Sequence, residues 1–188
     1  MANIFVFRTG SIETKQNIFC GWLNIQLSKQ GIKEAQQIAK KLKNQKIDFA
    51  LCSDQLRSKQ ALVEVLQFHK NARVIMDHRL RERNYGVFSG HEKELFKKYY
   101  PEKYKEIHRH YYADIPKGEN FEQLSRRIFS FMNDLLKFMK ETEGNIVICA
   151  HTNSMRLIIE FLEDLNKQNV SEIEHSPTQH KNYFVKFN

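Results

Sequence analysis

The sequence predicts an α/β fold with a mainly parallel central sheet and helices on its faces. A length of 188 residues suits one hydrophobic core of ordinary size. The 41 % hydrophobic and 28 % charged residues lie near the values of globular proteins, which argues against a disordered or fibrous chain. Short apolar runs of strand length alternate with amphipathic helical patterns, and this order is typical of strands joined by helical crossovers.

Five short runs rich in β-branched and aromatic residues are the predicted strands. They lie at residues 4–7, 47–52, 73–76, 146–150 and 183–187. The first three are separated by single helical patterns, so the chain opens as strand, helix, strand, helix, strand. Alternation of this kind favours a largely parallel sheet.

Amphipathic patterns predict the helices between these strands. Ser28 is the predicted N-cap of the first helix, whose apolar residues recur at spacings of three and four up to Leu42. The second helix begins at about Asp54, which we predict to cap it. Residues 121–139 and 154–165 show two further helical patterns, before and after the fourth strand.

The segment at residues 92–112 interrupts this order. Lysine, tyrosine and histidine crowd it, and Pro101 divides it, so we interpret it as helical insertions outside the sheet. The chain shows no internal repeat, no low-complexity tract and no linker rich in Pro, Gly or Ser. We therefore expect one domain over residues 1–188.

Net charge and cysteine content limit the partners and the compartment. The chain carries 30 Lys and Arg against 22 Asp and Glu, a formal charge of +8, which could attract nucleic acid, membranes or small phosphorylated anions. Cys20, Cys52 and Cys149 have neither a disulfide framework nor zinc-like spacing. No signal-peptide pattern is visible, and no apolar run approaches the roughly 20 residues that cross a bilayer. We expect a cytoplasmic protein that does not associate with a membrane.

Basic side chains follow three of the predicted strands. Arg8 comes directly after the first strand, Arg57 one helical turn after the second, and His151 directly after the fourth. Ligands of open α/β sheets bind beyond the carboxyl ends of the strands, and the planar guanidinium matches phosphate. The sequence therefore predicts a small anion pocket at this edge. Glu82, between Arg81 and Arg83, is by itself equally compatible with a simple ion pair.

Several short motifs, in one fixed order over about residues 4–162, carry a family resemblance. In chain order they are Arg8-Thr9-Gly10, Gly21-Trp22, Leu27-Ser28-Lys29-Gln30-Gly31, the segment 53–60, the segment 80–86, Gly118-Glu119-Asn120 and His151-Thr152-Asn153-Ser154. The sequence thereby resembles the histidine phosphatase superfamily, and within it the cofactor-dependent phosphoglycerate mutase branch. An ordered set of motifs is much harder to obtain by chance than any single motif.

The resemblance implies a three-layer phosphoglycerate mutase-like sandwich and a set of residue roles. In the family, a first histidine is the phosphorylated nucleophile, two arginines and a second histidine hold the phosphoryl group, and a glutamate moves a proton. Arg8, Arg57, His151 and Glu82 match four of these five positions. The fifth, the nucleophile position, is Thr9.

The resemblance also implies residues that contact other parts of a ligand. Asn153 is a further candidate for phosphate binding. Residues 91–117 match the position of a helical lid over the substrate pocket, where Arg83, Tyr85 and Arg109 would select the non-reacting part of the ligand. The family chemistry implies no metal and no cofactor.

Three departures from the family pattern lie around the phosphate position. Thr9 offers a hydroxyl that is nearly always protonated and would form a stable ester, where histidine forms a labile phosphoramidate. The stretch 8–21 is one residue shorter than in typical mutases, and Lys15 stands where an asparagine is usual. Thr152 replaces a glycine, which adds a hydroxyl and bulk.

These observations leave three functional interpretations. The favoured one is a family member that binds a phosphorylated small molecule or inorganic phosphate with weak or no turnover. The second is an active phosphomonoesterase or phosphoglycerate mutase in which His151, His91 or Thr9 carries the phosphoryl group, or an engineered nucleophile variant of such an enzyme. The third is a non-enzymatic module for a protein partner or, less favoured, nucleic acid, suggested by the basic and aromatic stretch 93–112. The oligomeric state stays open, and a homo-oligomer is compatible with the sequence.

Overall fold

The central sheet has the predicted, mainly parallel character. A computed structural model of the chain describes residues 1–187, and within them five strands form one sheet in the order β3-β2-β4-β1-β5. The strands are β1 (Ala2–Arg8), β2 (Phe49–Cys52), β3 (Arg73–Met76), β4 (Ile146–Ala150) and β5 (His180–Val185). The first four pair in parallel, and β5 pairs antiparallel to β1. The α/β class is thus confirmed.

The helices occupy the connections between the strands. They are α1 (Lys29–Leu42), α2 (Leu56–Leu66), α3 (Lys93–Tyr99), α4 (Pro101–Arg109), α5 (Phe121–Thr142) and α6 (Thr152–Glu163). Short 3₁₀ turns lie at His78–Leu80, Gly86–Phe88 and Lys167–Glu172. Within residues 1–187, no helix combines the length and the apolar character that crossing a membrane requires.

Alternating side chains of the sheet build two apolar layers. Ile4 and Val6 belong to a buried cluster that includes residues of α5 and α6, whereas Phe5 and Phe7 belong to a second cluster with residues of α1 and α2. This division follows from the two-residue period of a strand. All five residues of β4 are buried, as expected for a central strand covered on both faces. The helices therefore cover both faces of the sheet, and the three-layer arrangement is confirmed.

The two predicted helix caps have different outcomes. Ser28 caps α1, because its Oγ accepts a hydrogen bond of 3.0 Å from the backbone N–H of Gly31. The predicted cap Asp54 is wrong, because Gln55 occupies the N-cap position of α2. The Asp54 carboxylate instead accepts a hydrogen bond of 2.7 Å from Nε of Arg81, and this bond lowers the pKa of Asp54. A bond to a charged guanidinium is stronger than one to a backbone amide.

Residues 92–112 form helices outside the sheet, as predicted. Pro101 is the first residue of α4, a position where its missing N–H costs nothing. The segment packs through an aromatic cluster around Phe19, whose ring lies 5.7 Å from that of Phe96 and 6.0 Å from that of Tyr104. Because Phe19 lies between β1 and α1 in the chain, this cluster joins α3 and α4 to the loop that follows β1.

Candidate functional site

A cavity of about 330 Å³ lies beyond the carboxyl ends of β1 and β4. Seven of the predicted site residues line it: Arg8, Thr9, Arg57, Glu82, Tyr85, His151 and Asn153. The strand pairing explains part of this convergence, because Arg8 pairs with Ala150 and the N–H of Thr9 donates to the carbonyl of Ala150 at 2.8 Å. The residues after the two strands are therefore side by side.

The loop after β1 is fixed against the start of α1. Ser11 donates its backbone N–H to Oε2 of Glu34 at 2.7 Å. A Cβ at Gly10 would lie 2.6 Å from the carbonyl oxygen of Gly31, so a larger residue would push the loop away from the helix. This close approach sets the position of the backbone that carries Thr9.

Arg57 is buried and held by backbone carbonyls. Its Nη1 donates to the carbonyl of Leu23 at 2.8 Å, and its Nη2 donates to the carbonyl of Gly21 at 2.7 Å. Its Nε donates to Nδ1 of His151 at 3.3 Å. A guanidinium has five N–H donors, so these three bonds leave two N–H groups of Arg57 unused at the wall of the cavity.

The hydrogen bonds of His151 define its protonation state. Nδ1 accepts from Arg57, and Nε2 lies 2.8 Å from Oγ of Ser53. Since a guanidinium can only donate, Nδ1 carries the lone pair, and the single ring proton lies on Nε2, where it is donated to Ser53. Burial, followed by the charges of Arg57 and Arg127, lowers the pKa of His151 well below its usual value. The imidazole is therefore neutral at pH 7.

Glu82 and Asn153 form a second hydrogen-bonded group on the cavity wall. Oε1 of Glu82 accepts from the backbone N–H of Arg83 at 2.7 Å and from that of Asn153 at 3.1 Å. The side chain of Asn153 donates to the Tyr85 hydroxyl at 3.1 Å and accepts from Nη1 of Arg156 at 3.0 Å. These bonds fix Asn153 and the Glu82 carboxylate beside the start of α6.

Arg8 keeps an unused donor inside the protein. Its Nη1 donates to Oγ1 of Thr152 at 3.2 Å, but its buried Nε has no hydrogen-bond partner within residues 1–187. Burial lowers the pKa of Arg8, and the nearby Glu82 and Glu34 oppose this shift. An unpaired buried donor of this kind costs roughly 1–3 kcal/mol, which an anion in the cavity would recover.

The comparisons with known proteins agree with this arrangement. The sequence model of the histidine phosphatase superfamily (branch 1) matches residues 4–183. The chain belongs to the histidine phosphatase superfamily. The chain is 31 % identical to a 2,3-bisphosphoglycerate-dependent phosphoglycerate mutase of Methanococcus vannielii, over 93 % of this chain and 86 % of that protein. A mutase of the same description from Pseudoalteromonas atlantica is 26 % identical, over 93 % of this chain and 89 % of that protein.

Two solved phosphatase structures share the fold of this chain. An alpha-ribazole phosphatase from Shigella flexneri superimposes with a TM-score of 0.85 at 20 % identity, over 98 % of this chain and 91 % of that one. A mycobacterial glucosyl-3-phosphoglycerate phosphatase in complex with inorganic phosphate gives a TM-score of 0.82 at 19 % identity, over 97 % and 89 %. The predicted phosphoglycerate mutase-like architecture is thus confirmed.

Of the remaining predicted ligand-contacting residues, Arg83 differs from the expectation, and Arg109 stays a prediction. Arg83 is fully buried and does not line the cavity. Its guanidinium lies 4.8 Å from the ring centre of Tyr85 and 4.6 Å from that of Phe121, and it donates to the carbonyl of Ile107. Arg83 therefore supports Tyr85 from behind, as a cation over aromatic rings. Arg109 ends α4, and its side chain lies outside the described part of the chain.

The structure brings further polar residues of this superfamily member into the cavity: Ser11, Asn17, Lys93, His108, Thr152 and Arg156. Arg156 lies one helical turn after Thr152 on α6, and this spacing after a strand-end motif is a signal that could have identified it. Lys93 and His108 lie in a segment crowded with lysine and histidine, where no pattern separates a cavity residue from a solvated one.

The charges of the cavity favour an anion. Arg8, Arg57, Lys93 and Arg156 contribute cations, and Glu82 contributes a carboxylate. Burial lowers the pKa of Lys93, so an anionic ligand would stabilise its charged form. Within residues 1–187, no group of three or more His, Cys, Asp or Glu side chains gathers as a metal site. Charge-assisted hydrogen bonds from arginine are well suited to a phosphoryl group.

Proposed function

We propose that this chain binds a phosphorylated small molecule or inorganic phosphate in the 330 Å³ cavity, with weak or no phosphatase or mutase turnover. The observation that carries the proposal is a cavity in which the buried Arg57 and the half-buried Arg8, whose Nε has no partner within residues 1–187, lie around a threonine at position 9. The arginines supply binding. Thr9 occupies the position that the superfamily resemblance assigns to the nucleophilic histidine.

Thr9 is a poor replacement for a nucleophilic imidazole. Within residues 1–187, its hydroxyl makes no hydrogen bond to an imidazole or carboxylate that could remove its proton. A phosphothreonine would also be a stable ester, so a phosphoryl group transferred to it would stay there. Losing the nucleophile of another enzyme lowers turnover on the order of 10⁶-fold.

The other histidines considered for the nucleophile have unsuitable positions. Both ring nitrogens of His151 are engaged, one by Arg57 and one by Ser53. His91 is exposed, and it is not among the residues that line the cavity. Transfer of a phosphoryl group to His151 would first require the bond from Arg57 to break, which leaves a buried guanidinium donor unsatisfied.

One observation favours a second candidate function, an active phosphomonoesterase. His108 of α4 lines the cavity, where its ring lies 5.1 Å from that of Tyr104. An imidazole at this place could accept a phosphoryl group if α4 moves towards the phosphate position. Turnover of a chromogenic phosphoester that disappears in His108→Ala, with the fold intact, would support this function and would contradict the first one.

Calorimetric titration with inorganic phosphate tests the binding proposal. We expect the parent protein to bind phosphate and Arg57→Lys to bind it at least about tenfold more weakly. Lysine keeps the positive charge but lacks the planar guanidinium that binds phosphate through two parallel hydrogen bonds. Arg73→Lys, on the exposed strand β3, is the matched control and should bind as the parent does. Phosphate affinity that is the same in Arg57→Lys and the parent would contradict the proposal.

A further inference from the structure

A second cavity of about 390 Å³ adjoins the first one. Six residues line it: Arg8, Thr152, Arg156, Glu174, His175 and Ser176. The first three also line the first cavity, so the two cavities share a wall. The other three belong to the segment between the 3₁₀ turn Lys167–Glu172 and β5, far from α3 and α4 in the chain.

Unused polar atoms and a fixed guanidinium are found at this second cavity. The buried Nε2 of His175 has no hydrogen-bond partner within residues 1–187. Arg8 lines both cavities, and its one unpaired donor, Nε, can serve an anion in only one of them. Arg156 is 7 % exposed, and its orientation is fixed because Nε donates to the carbonyl of Ile173 at 2.7 Å and Nη1 to Oδ1 of Asn153 at 3.0 Å. A buried polar atom without a partner requires an explanation, and in a cavity lined by two arginines an anionic ligand supplies one.

We propose that the second cavity is a second oxyanion-binding site, which takes a phosphate group. The proposal rests on the proposed function for the first cavity, because Arg8 and Arg156 are shared between the two sites. The oxyanion is either free phosphate or a second phosphate group on the molecule whose first phosphate occupies the first cavity.

The charged residues at the second cavity should change anion binding in opposite directions, which can be tested. Two guanidinium groups, of Arg8 and Arg156, face one carboxylate, of Glu174. The neutral imidazole of His175, from the same segment as the carboxylate, adds a donor in the tautomer that carries its proton on Nε2. Glu174 must therefore weaken anion binding, while His175 and Arg156 strengthen it. A merely structural role for these residues would not give opposite effects at neighbouring positions.

Phosphate titration of second-cavity variants tests this site. We expect the parent to bind two phosphate ions per chain and His175→Leu to lose one of them, with affinity for it reduced about tenfold or more. Glu174→Gln should bind that second ion about two- to fivefold more tightly, because a repulsive charge is removed. His78→Gln, an exposed histidine outside both cavities, is the control and should bind as the parent does. The melting temperature of each variant shows that it is folded.

Propane-1,3-bisphosphonate distinguishes the two sources of the anion. If one ligand spans both cavities, it binds with a stoichiometry of one and more tightly than phosphate, and His175→Leu removes the advantage. If the second anion is free phosphate, the bisphosphonate shows no such advantage, while two phosphate ions still bind.

Phosphate titration of these variants distinguishes a failure of the second site from a failure of the proposed function. One phosphate per chain that is sensitive to Arg57→Lys but not to His175→Leu or Glu174→Gln would overturn the second site and leave the first one. Phosphate binding that is insensitive to Arg57→Lys would contradict the proposed function. No phosphate binding by the folded parent at millimolar concentration would overturn both.

Discussion

The first cavity has two walls that are built in different ways. The sheet wall, formed by Arg8, Thr9 and His151, follows directly on β1 and β4 and is aligned by their backbone pairing. The helical wall, formed by Lys93 and His108, belongs to α3 and α4, which rest on aromatic packing around Phe19. Strand pairing fixes the spacing of the backbones through hydrogen bonds, whereas the helical wall is positioned by side-chain packing. The phosphate position is thus tied to the core, and the helical wall can vary independently of it.

Of the changes to the sheet wall, Thr9→His should have the largest effect, because it places a histidine at the nucleophile position. In Thr9→His, an imidazole would enter a cavity that already contains Arg8, Arg57 and the Glu82 carboxylate. We expect turnover of a chromogenic phosphoester to rise on the order of 10³-fold or more above the parent, because covalent transfer to nitrogen becomes available. The chain should also acquire an acid-labile phosphate that can be detected after rapid denaturation.

Thr9→Gln is the matched control for this experiment. It adds a side chain of similar length that cannot accept a phosphoryl group, and it should stay as inactive as the parent. If Thr9→His binds phosphate but has no turnover, the shortened loop after β1 does not hold a productive geometry. A parent protein that is as active as Thr9→His would contradict the binding proposal.

The two walls also differ in how far the sequence predicts them. Positions after strands are identifiable because parallel strands end at a common edge, so Arg8 and His151 could be located without coordinates. The same reasoning does not show which way a loop side chain points. Arg83 lies in a motif with Glu82, yet its guanidinium is buried between aromatic rings. Lys93 has no distinguishing signal, because its burial depends on how α3 packs.

Asp54 shows a further limit of local sequence patterns. Its position before an amphipathic helix is typical of an N-cap, but a guanidinium 27 residues away in the chain competes for the same carboxylate. The outcome depends on tertiary contacts that no short pattern contains. The residues of the second cavity have the same property, since Glu174 and His175 belong to a segment that is held against α6 by the bond from Arg156 to the carbonyl of Ile173.

Phe19→Ala removes the ring on which the helical wall packs. Its loss of stability should be the next largest effect. Phe19 is fully buried, and its ring contacts those of Tyr85, Phe96 and Tyr104. We expect the free energy of unfolding in urea to fall by roughly 3–5 kcal/mol, the usual range for removal of a buried phenyl ring. Phe184→Ala, at a ring that is 58 % exposed on β5, is the matched control and should lose much less.

Phosphate binding in Phe19→Ala shows whether the two walls are independent. If the sheet wall is independent of the aromatic cluster, the folded fraction of this variant should still bind inorganic phosphate within about threefold of the parent affinity, a change below 1 kcal/mol. Loss of phosphate binding in protein that is still folded would show that the two walls act as one unit.

The smallest expected effect is the pH dependence of stability that comes from the neutral imidazole of His151 in the sheet wall. The pKa of His151 is lowered well below its unfolded value near 6.5, so the unfolded chain binds the proton more tightly than the folded one. The contribution of His151 to stability is therefore complete above pH 6.5 and is lost as the pH falls below that value. The free energy of unfolding should therefore fall between pH 7.5 and pH 5.5, as the unfolded chain takes up the proton.

Urea denaturation of His151→Gln at both pH values measures this linkage. The variant should be less stable than the parent at pH 7.5, because Arg57 and Ser53 lose their partner, but its stability should fall less towards pH 5.5. His78→Gln, an exposed histidine, should keep the pH dependence of the parent. An unchanged pH dependence in His151→Gln would mean that His151 has the same pKa in the folded and the unfolded chain and is protonated in the folded protein at pH 5.5. In that case Nδ1 could not accept from Arg57, and the guanidinium would face the ligand with its Nε as well, which would make the sheet wall a stronger anion site than the neutral imidazole allows.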